Sequence, residues 1–164
     1  MTRVYLGLGS NAGDSEAILA AALAELGGMV AGLRSSSIYR SKPRYVLDQP
    51  DFFNLAASGD TELGPDDLLD ATKAIEARHG RNRELERRKG PRTLDIDILL
   101  YGGLTLDTPD LVVPHPGMLE RAFVLVPLAE LEPALRHPAT GALFTSSLGA
   151  VAGQGIYLHA KAPL

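Results

Sequence analysis

The chain has 164 residues, 45% hydrophobic and 22% charged, which is enough for one domain with its own core. Its 16 Lys and Arg against 20 Asp and Glu leave a net charge of −4, so no global basic field exists to coat nucleic acid. Cys and Trp are absent and aromatics make up 5%, which excludes disulfides, thiolate metal sites, thiol nucleophiles and broad base-stacking platforms.

Val4–Leu8 reads as a first strand that ends in Gly9-Ser10-Asn11. Asp14 or Ser15 can cap the Ala- and Leu-rich helix that follows, and Gly27-Gly28 stops it. Ser35–Arg40 fits a second strand, and the polar stretch with Pro43 and Pro50 fits neither regular structure. Phe53, Leu55 and Ala57 then alternate with Asn54, Ala56 and Ser58, as in a third strand with one buried face. Pro65-Asp66-Asp67 opens a helix, with Leu68, Leu69, Thr72, Ile75 and His79 along one face and Gly80 as the stop.

Leu94–Tyr101 is the clearest strand, and Gly102-Gly103 predicts a hairpin turn into Leu104–Leu106. A short helix near Gly117 and a longer one over Arg121–Leu131 follow. The last ~12 residues, from 153, carry no pattern and read as a loose tail. The order strand, helix, strand, strand, helix, strand predicts an α+β fold within a single domain, 1–164. Its core is a ferredoxin-like βαββαβ unit: a largely antiparallel sheet, helices on one face, and C-terminal additions. Such a sheet leaves a face for a site.

The longest apolar stretches, Ala17–Ala24 and Ala122–Leu128, fall far short of the ~18 residues of a spanning helix. The N-terminus reaches Gly7 before a signal-peptide core could form. A cytoplasmic protein with no membrane or nucleic-acid partner is expected.

Charge is unevenly placed. Seven of the 16 basic residues lie between Arg78 and Arg92, opposed there only by Glu84 and Glu86. A solvated loop is the plain reading, and the helix dipole accounts in part for Arg81 and Arg83. Arg87, Arg88, Lys89 and Arg92 crowd beside Gly90-Pro91 at the mouth of a strand, where a phosphate would relieve their repulsion. Asp95 and Asp97 follow, two apart on a strand, so both carboxylates leave one face at a spacing of ~6.5 Å. Either they pair with nearby arginines or they hold a cation. Magnesium suits them, because it takes hard oxygens and bridges carboxylates to phosphates. Together, arginines and aspartates describe a holder for a metal-bound polyphosphate. No Walker A pattern, no G-x-S-x-G and no zinc spacing among His79, His115, His137 and His159 is present. His115 stands between Pro114 and Pro116, which restrict its backbone.

The run Arg88-Lys89-Gly90-Pro91-Arg92-Thr93-Leu94-Asp95-Ile96-Asp97-Ile98-Leu99 resembles the 6-hydroxymethyl-7,8-dihydropterin pyrophosphokinase family of folate biosynthesis. The resemblance extends to Gly7-Leu8-Gly9-Ser10-Asn11, Ser37-Ile38-Tyr39-Arg40, Asp48–Asn54 and Val113-Pro114-His115 with Arg121 and Phe123, roughly residues 4–135. It implies a ferredoxin-like fold and a transfer of pyrophosphate from ATP to a pterin hydroxymethyl group, with AMP released. It also implies two magnesium ions, held by Asp95 and Asp97. Arg81, Arg83, Arg92, His115 and Arg121 match positions that hold the triphosphate or stabilise its moving charge, and Glu76 matches one that helps form the nucleotide site. By this resemblance Arg81, Arg83, Arg92, Asp95 and Asp97 would form the catalytic set. The resemblance likewise implies Ser41, Pro43, Phe52, Asn54 and Phe123 as the pterin set, in which two rings would sandwich a flat heterocycle and the Asn amide would meet its edge. No nucleophilic residue is implied, and the general base stays open. A monomer is expected.

The chain departs from a well-known member at Lys89 (Trp there), Asp110, Val112 and Pro116, and its 81–92 loop is one residue longer. The loops 41–51 and 81–91 read as lids. Three other readings compete. Gly7-x-Gly9-x-x-Ala12 fits a loose nicotinamide fingerprint without its acidic partner. An RNA-binding sheet would need exposed aromatics that are absent. An altered paralogue would keep the fold and lose or change the chemistry.

Overall fold

The computed structural model describes residues 1–43, 47–80 and 93–164. Alternation in the first segment gives β1 (Thr2–Ser10), whose Val4, Leu6 and Leu8 face one core while Tyr5, Gly7 and Gly9 face the other side. Asp14 caps α1 (Ser15–Leu26), accepting from Ala17 N at 3.2 Å, and Gly27 closes it. Next come β2 (Ala31–Ser35), β3 (Ile38–Ser41) and β4 (Phe52–Thr61). They lead to α2 (Pro65–Arg78), with Pro at its first turn and Gly80 beyond its end at φ +84°. β5 (Asp95–Tyr101), the small pair β6 (Leu106–Asp107) and β7 (Val112–Val113), α3 (Ala122–Leu131) and β8 (Ile156–Ala160) complete the order.

The main sheet runs β5-β1-β4-β3-β8, with β2 also on β4, and every pairing is antiparallel. β4 inserts between β1 and the β2–β3 segment, which is the split βαβ arrangement expected. α1 and α2 pack on one face through Leu19, Leu23, Leu68 and Ile75. The C-terminal additions take part of the other, where α3 and three short 3-10 turns bury Tyr5, Ala56 and Leu100. β4 is consequently buried on both faces, where the alternation predicts one.

Three further expectations are corrected. The strand over Ser35–Arg40 is two strands that pair with successive parts of β4. Between them the chain is held by side chains: Ser36 Oγ accepts from Ala56 N at 2.9 Å, and Ser37 N donates to Glu130 at 2.8 Å. Gly102, at φ +52°, does turn the chain, but 104–106 does not fold back on β5, and β6 pairs with β7 instead. The outer edge of β5 is engaged elsewhere, with Glu76 Oε2 accepting from Ile96 N and Leu99 O accepting from His115 N. Finally, the expected loose tail forms β8 on the edge of β3, and His159 bonds Glu16 and stands edge-on to Phe53.

Glu25 ties α1 to α2, accepting from Arg78 Nε and bonding His79 Nε2, both at 2.6 Å. These bonds hold the Glu25 carboxyl below the usual range, the arginine bond being the larger cause. A depressed folded-state pKa contributes stability above the ordinary glutamate range that is lost as pH falls through the folded value. Glu25→Gln should flatten the acid limb of the stability curve. Denaturant midpoints measured from neutral pH down through the carboxylate range check this, and an acid limb of unchanged slope would refute it.

Candidate active site

Two rungs across β4, β1 and β5 set out the site. Asn54 faces Gly9, which faces Asp95; Ala56 faces Gly7, which faces Asp97. The period of two puts these residues on the face opposite the Leu6–Leu8–Ile96–Ile98 core. A bulge in β5 at the Tyr5/Leu6 step turns both Leu99 and Leu100 toward α3, which marks where the covered part of this face begins. Beyond α3 the face opens into a cavity of about 240 Å³, bordered by both aspartates, Asn54, Phe52, Arg121 just before α3 and Phe123 in its first turn.

Each wall follows from local structure. Phe52 and Asn54 are two apart on β4 and share a face, while Phe53 turns away to His159 and Arg40. Asn54 is buried, with Nδ2 3.5 Å from the hydroxyl of Ser41 on β3. Its Oδ1 lies where a side chain on Gly9 would begin, 2.7 Å from a Cβ there, so only glycine leaves room for the amide. Ser41 also borders the cavity, whereas Pro43 is buried outside its lining. Phe123 lies in the first turn of α3, 5.8 Å beneath the Arg121 guanidinium. That guanidinium rests on Gly117, where a Cβ would sit 2.8 Å from Cζ.

His115 stands beside this group rather than in the cavity lining. Its backbone N donates to Leu99 O at 2.9 Å, so the bulge itself fixes it. Gly117 N donates to Nδ1 at 3.2 Å, which leaves the ring proton on Nε2. Burial lowers its pKa, Arg121 adds to this, and Asp95 opposes it. At neutral pH the ring is therefore an uncharged N–H donor. Glu76 is fully buried on α2 and borders β5 rather than the cavity, binding Ile96 between the two aspartates.

Arg81, Arg83, Arg92 and the 81–91 lid lie outside the described residues, as does 44–46 of the other loop. The described part of that loop is anchored, with Asn11 Nδ2 donating to Gln49 Oε1 at 2.8 Å and to Pro50 O at 3.0 Å. Arg40 Nε also pairs with Asp51 at 2.8 Å. Of the departures at 110, 112 and 116, none borders the cavity.

Sequence reasoning did not select Gln49, Gln154 or Ile156, which border the cavity too. Gln49 sits in a motif and could have been found there. The other two lie in the segment read as a tail and carry no pattern.

Residues 5–133 match the family model for 7,8-dihydro-6-hydroxymethylpterin-pyrophosphokinase. The chain belongs to this pyrophosphokinase family. It is 51% identical over 138 residues to a 2-amino-4-hydroxy-6-hydroxymethyldihydropteridine pyrophosphokinase of Methylorubrum extorquens, covering 82% of this chain and 85% of that one. The Pseudomonas aeruginosa protein of the same name is 50% identical over 138 residues, 83% and 84% of the two chains. Among solved structures, the wild-type HPPK-DHPS of Plasmodium falciparum superposes with a TM-score of 0.74 at 15% identity, a likeness of fold. It covers 91% of this chain, which spans 44% of that longer one. Family membership removes the nicotinamide and RNA readings, and relatives this similar named as pyrophosphokinases favour a working enzyme over an altered paralogue.

Proposed function

We propose that the chain transfers the β,γ-pyrophosphoryl unit of ATP to the hydroxymethyl oxygen of 6-hydroxymethyl-7,8-dihydropterin and releases AMP, a step of folate biosynthesis. One observation carries this reading: a paired-carboxylate strand face and an aromatic-amide pocket open into the same cavity. The first is suited to a magnesium-bound polyphosphate and the second to a flat, hydrogen-bonding heterocycle.

In the pterin half, Phe52 and Phe123 supply aromatic walls and Asn54 offers a donor and an acceptor, oriented by Ser41 and Gly9. Buried amides of this kind discriminate strongly, since a ligand lacking the matching edge leaves them unpaired. In the phosphate half, Arg121 supplies a fixed guanidinium and His115 an uncharged Nε2–H. Arg81, Arg83 and Arg92 add the remaining positive charge.

Asp95 and Asp97 fit magnesium. Among the described residues no third acid or histidine joins them, so an ion there would complete its shell from phosphate oxygens and water, as magnesium does. Bound there, magnesium would neutralise phosphate charge and polarise the transferred group. Two ions are proposed.

In the reaction, the hydroxymethyl oxygen forms a bond to the β-phosphorus as the bond from that phosphorus to the α,β-bridging oxygen breaks. The hydroxyl proton is lost, and AMP leaves with the bridging oxygen. This chemistry needs in-line placement and charge neutralisation rather than a covalent enzyme group. A monomer of one domain, 1–164, belongs to the same proposal. ATP as co-substrate supports a cytoplasmic site of action, and no helix of the described residues is long and apolar enough to cross a membrane.

The test is a product assay with MgATP and the dihydropterin. Pterin-dependent AMP is the expected product. ADP would show ordinary phosphorylation and overturn the placement of the β-phosphorus.

A further inference from the structure

Arg121 occupies an unusual backbone position. It is a single extended residue, φ −127° and ψ 112°, between a 3-10 turn (Met118–Glu120) and α3. Such a junction can swivel, and a helix start leaves N–H groups without partners. Arg121, at the N-cap position of α3, offers no side-chain acceptor for them.

Gln154 supplies what is missing from far along the chain. Its Oε1 accepts from Ala122 N at 2.9 Å, and its Nε2 donates to Glu120 O at 2.9 Å. One side-chain amide thus bonds the residues on both sides of Arg121. Gln154 is itself held, with its backbone N donating to Val151 O at 3.1 Å. Gly155, at φ +68°, then turns the chain into β8, where Ile156 pairs with Ser41. Gln154 and Ile156 both border the cavity, yet both lie beyond residue 133, where the family match ends.

We infer that Gln154 is a positioning residue that fixes the root of Arg121 so that its guanidinium meets the triphosphate. This rests on the proposed role of Arg121. The head of Arg121 is fixed separately, between Gly117 and Phe123, so its aim depends on whether the backbone beneath stays in register. A displacement of about 1 Å at a positioned group is enough to cost up to a hundredfold in rate.

Gln154→Leu removes both bonds at similar volume, and Gln154→Glu keeps the acceptor for Ala122 while losing the donor to Glu120. Gln154→Leu should lower kcat/KM for MgATP about tenfold or more, with Gln154→Glu between it and the unmodified protein. Dihydropterin binding, followed by equilibrium titration without nucleotide, should change by less than about twofold, and in an Arg121→Ala background Gln154→Leu should add less than about twofold. Thermal unfolding of each variant establishes the folded fraction to which rates are normalised.

An undiminished kcat/KM in Gln154→Leu beside a lowered one in Arg121→Ala would overturn the inference alone. So would a full effect persisting in the Arg121→Ala background, or weakened pterin binding, since either places Gln154 on another task. An Arg121→Ala enzyme with normal kcat/KM would overturn the reading of Arg121 and the inference with it.

Discussion

Asp97→Ala yields a folded protein that turns over at least about a thousand-fold more slowly, because losing a metal-holding carboxylate removes several kcal/mol of charge stabilisation. The fold should survive because Asp97 faces the cavity while its strand neighbours Ile96 and Ile98 make the core contacts. Asp97→Asn is the closer comparison: it keeps shape and backbone pairing and removes only the charge. Both variants should unfold near the unmodified protein in a thermal scan and lose magnesium-dependent AMP release. Turnover within tenfold of the unmodified protein, for either variant, would falsify the role given to this residue.

Gly9→Ala tests the other half of the site. The added methyl would start 2.7 Å from Asn54 Oδ1, and the buried amide, with Ser41 on its other side, can yield only toward the cavity it borders. Either Asn54 rotates or β1 and β4 separate. The first removes the polar edge that the pterin would meet, and the second strains the central pairing of the sheet. The expected result is a loss of about 1–3 kcal/mol of stability together with a rise in KM for the dihydropterin of about tenfold or more. KM for MgATP should move less. Gly7→Ala is the control, since a Cβ there meets Leu99 at 3.5 Å, an ordinary contact. Equal effects from the two substitutions would show that the pocket does not depend on Asn54.

The contrast between these two glycines shows what was legible in the sequence. As residues, Gly7 and Gly9 fit a loose dinucleotide pattern as well as any other. Their reason emerges only from the register, which sets Gly9 between Asn54 and Asp95 on one rung. Asp95 and Asp97 were readable directly, because a strand's period of two needs no partner to show which side chains share a face. The same holds for Phe52 with Asn54, and for α1 and α2, whose starts and stops lie in local chemistry at Asp14, Pro65 and Gly80.

What escaped depends on tertiary context. β8 exposes Tyr157 and Leu158 on the sheet's outer edge, so its hydrophobic pattern does not alternate with burial. The break at Ser36-Ser37 is stabilised by bonds to Ala56 and Glu130, neither of which is near in sequence. The hairpin after Gly102-Gly103 was predicted from a turn signal that the chain does use. Its destination changed because Glu76 and His115 already occupy the free edge of β5. Gln154 is the extreme case, a side chain that bonds backbone groups more than thirty positions away and leaves no local trace.

The most direct measurement is a crystal structure of the chain with magnesium, 6-hydroxymethyl-7,8-dihydropterin and α,β-methylene-ATP, in which the bond to be broken cannot break. The account predicts the pterin ring between Phe52 and Phe123 with its polar edge at Asn54. It predicts metal on Asp95 and Asp97, and the β-phosphorus facing the hydroxymethyl oxygen. A pterin bound away from Asn54, or a triphosphate whose γ-phosphorus faces that oxygen, would contradict it.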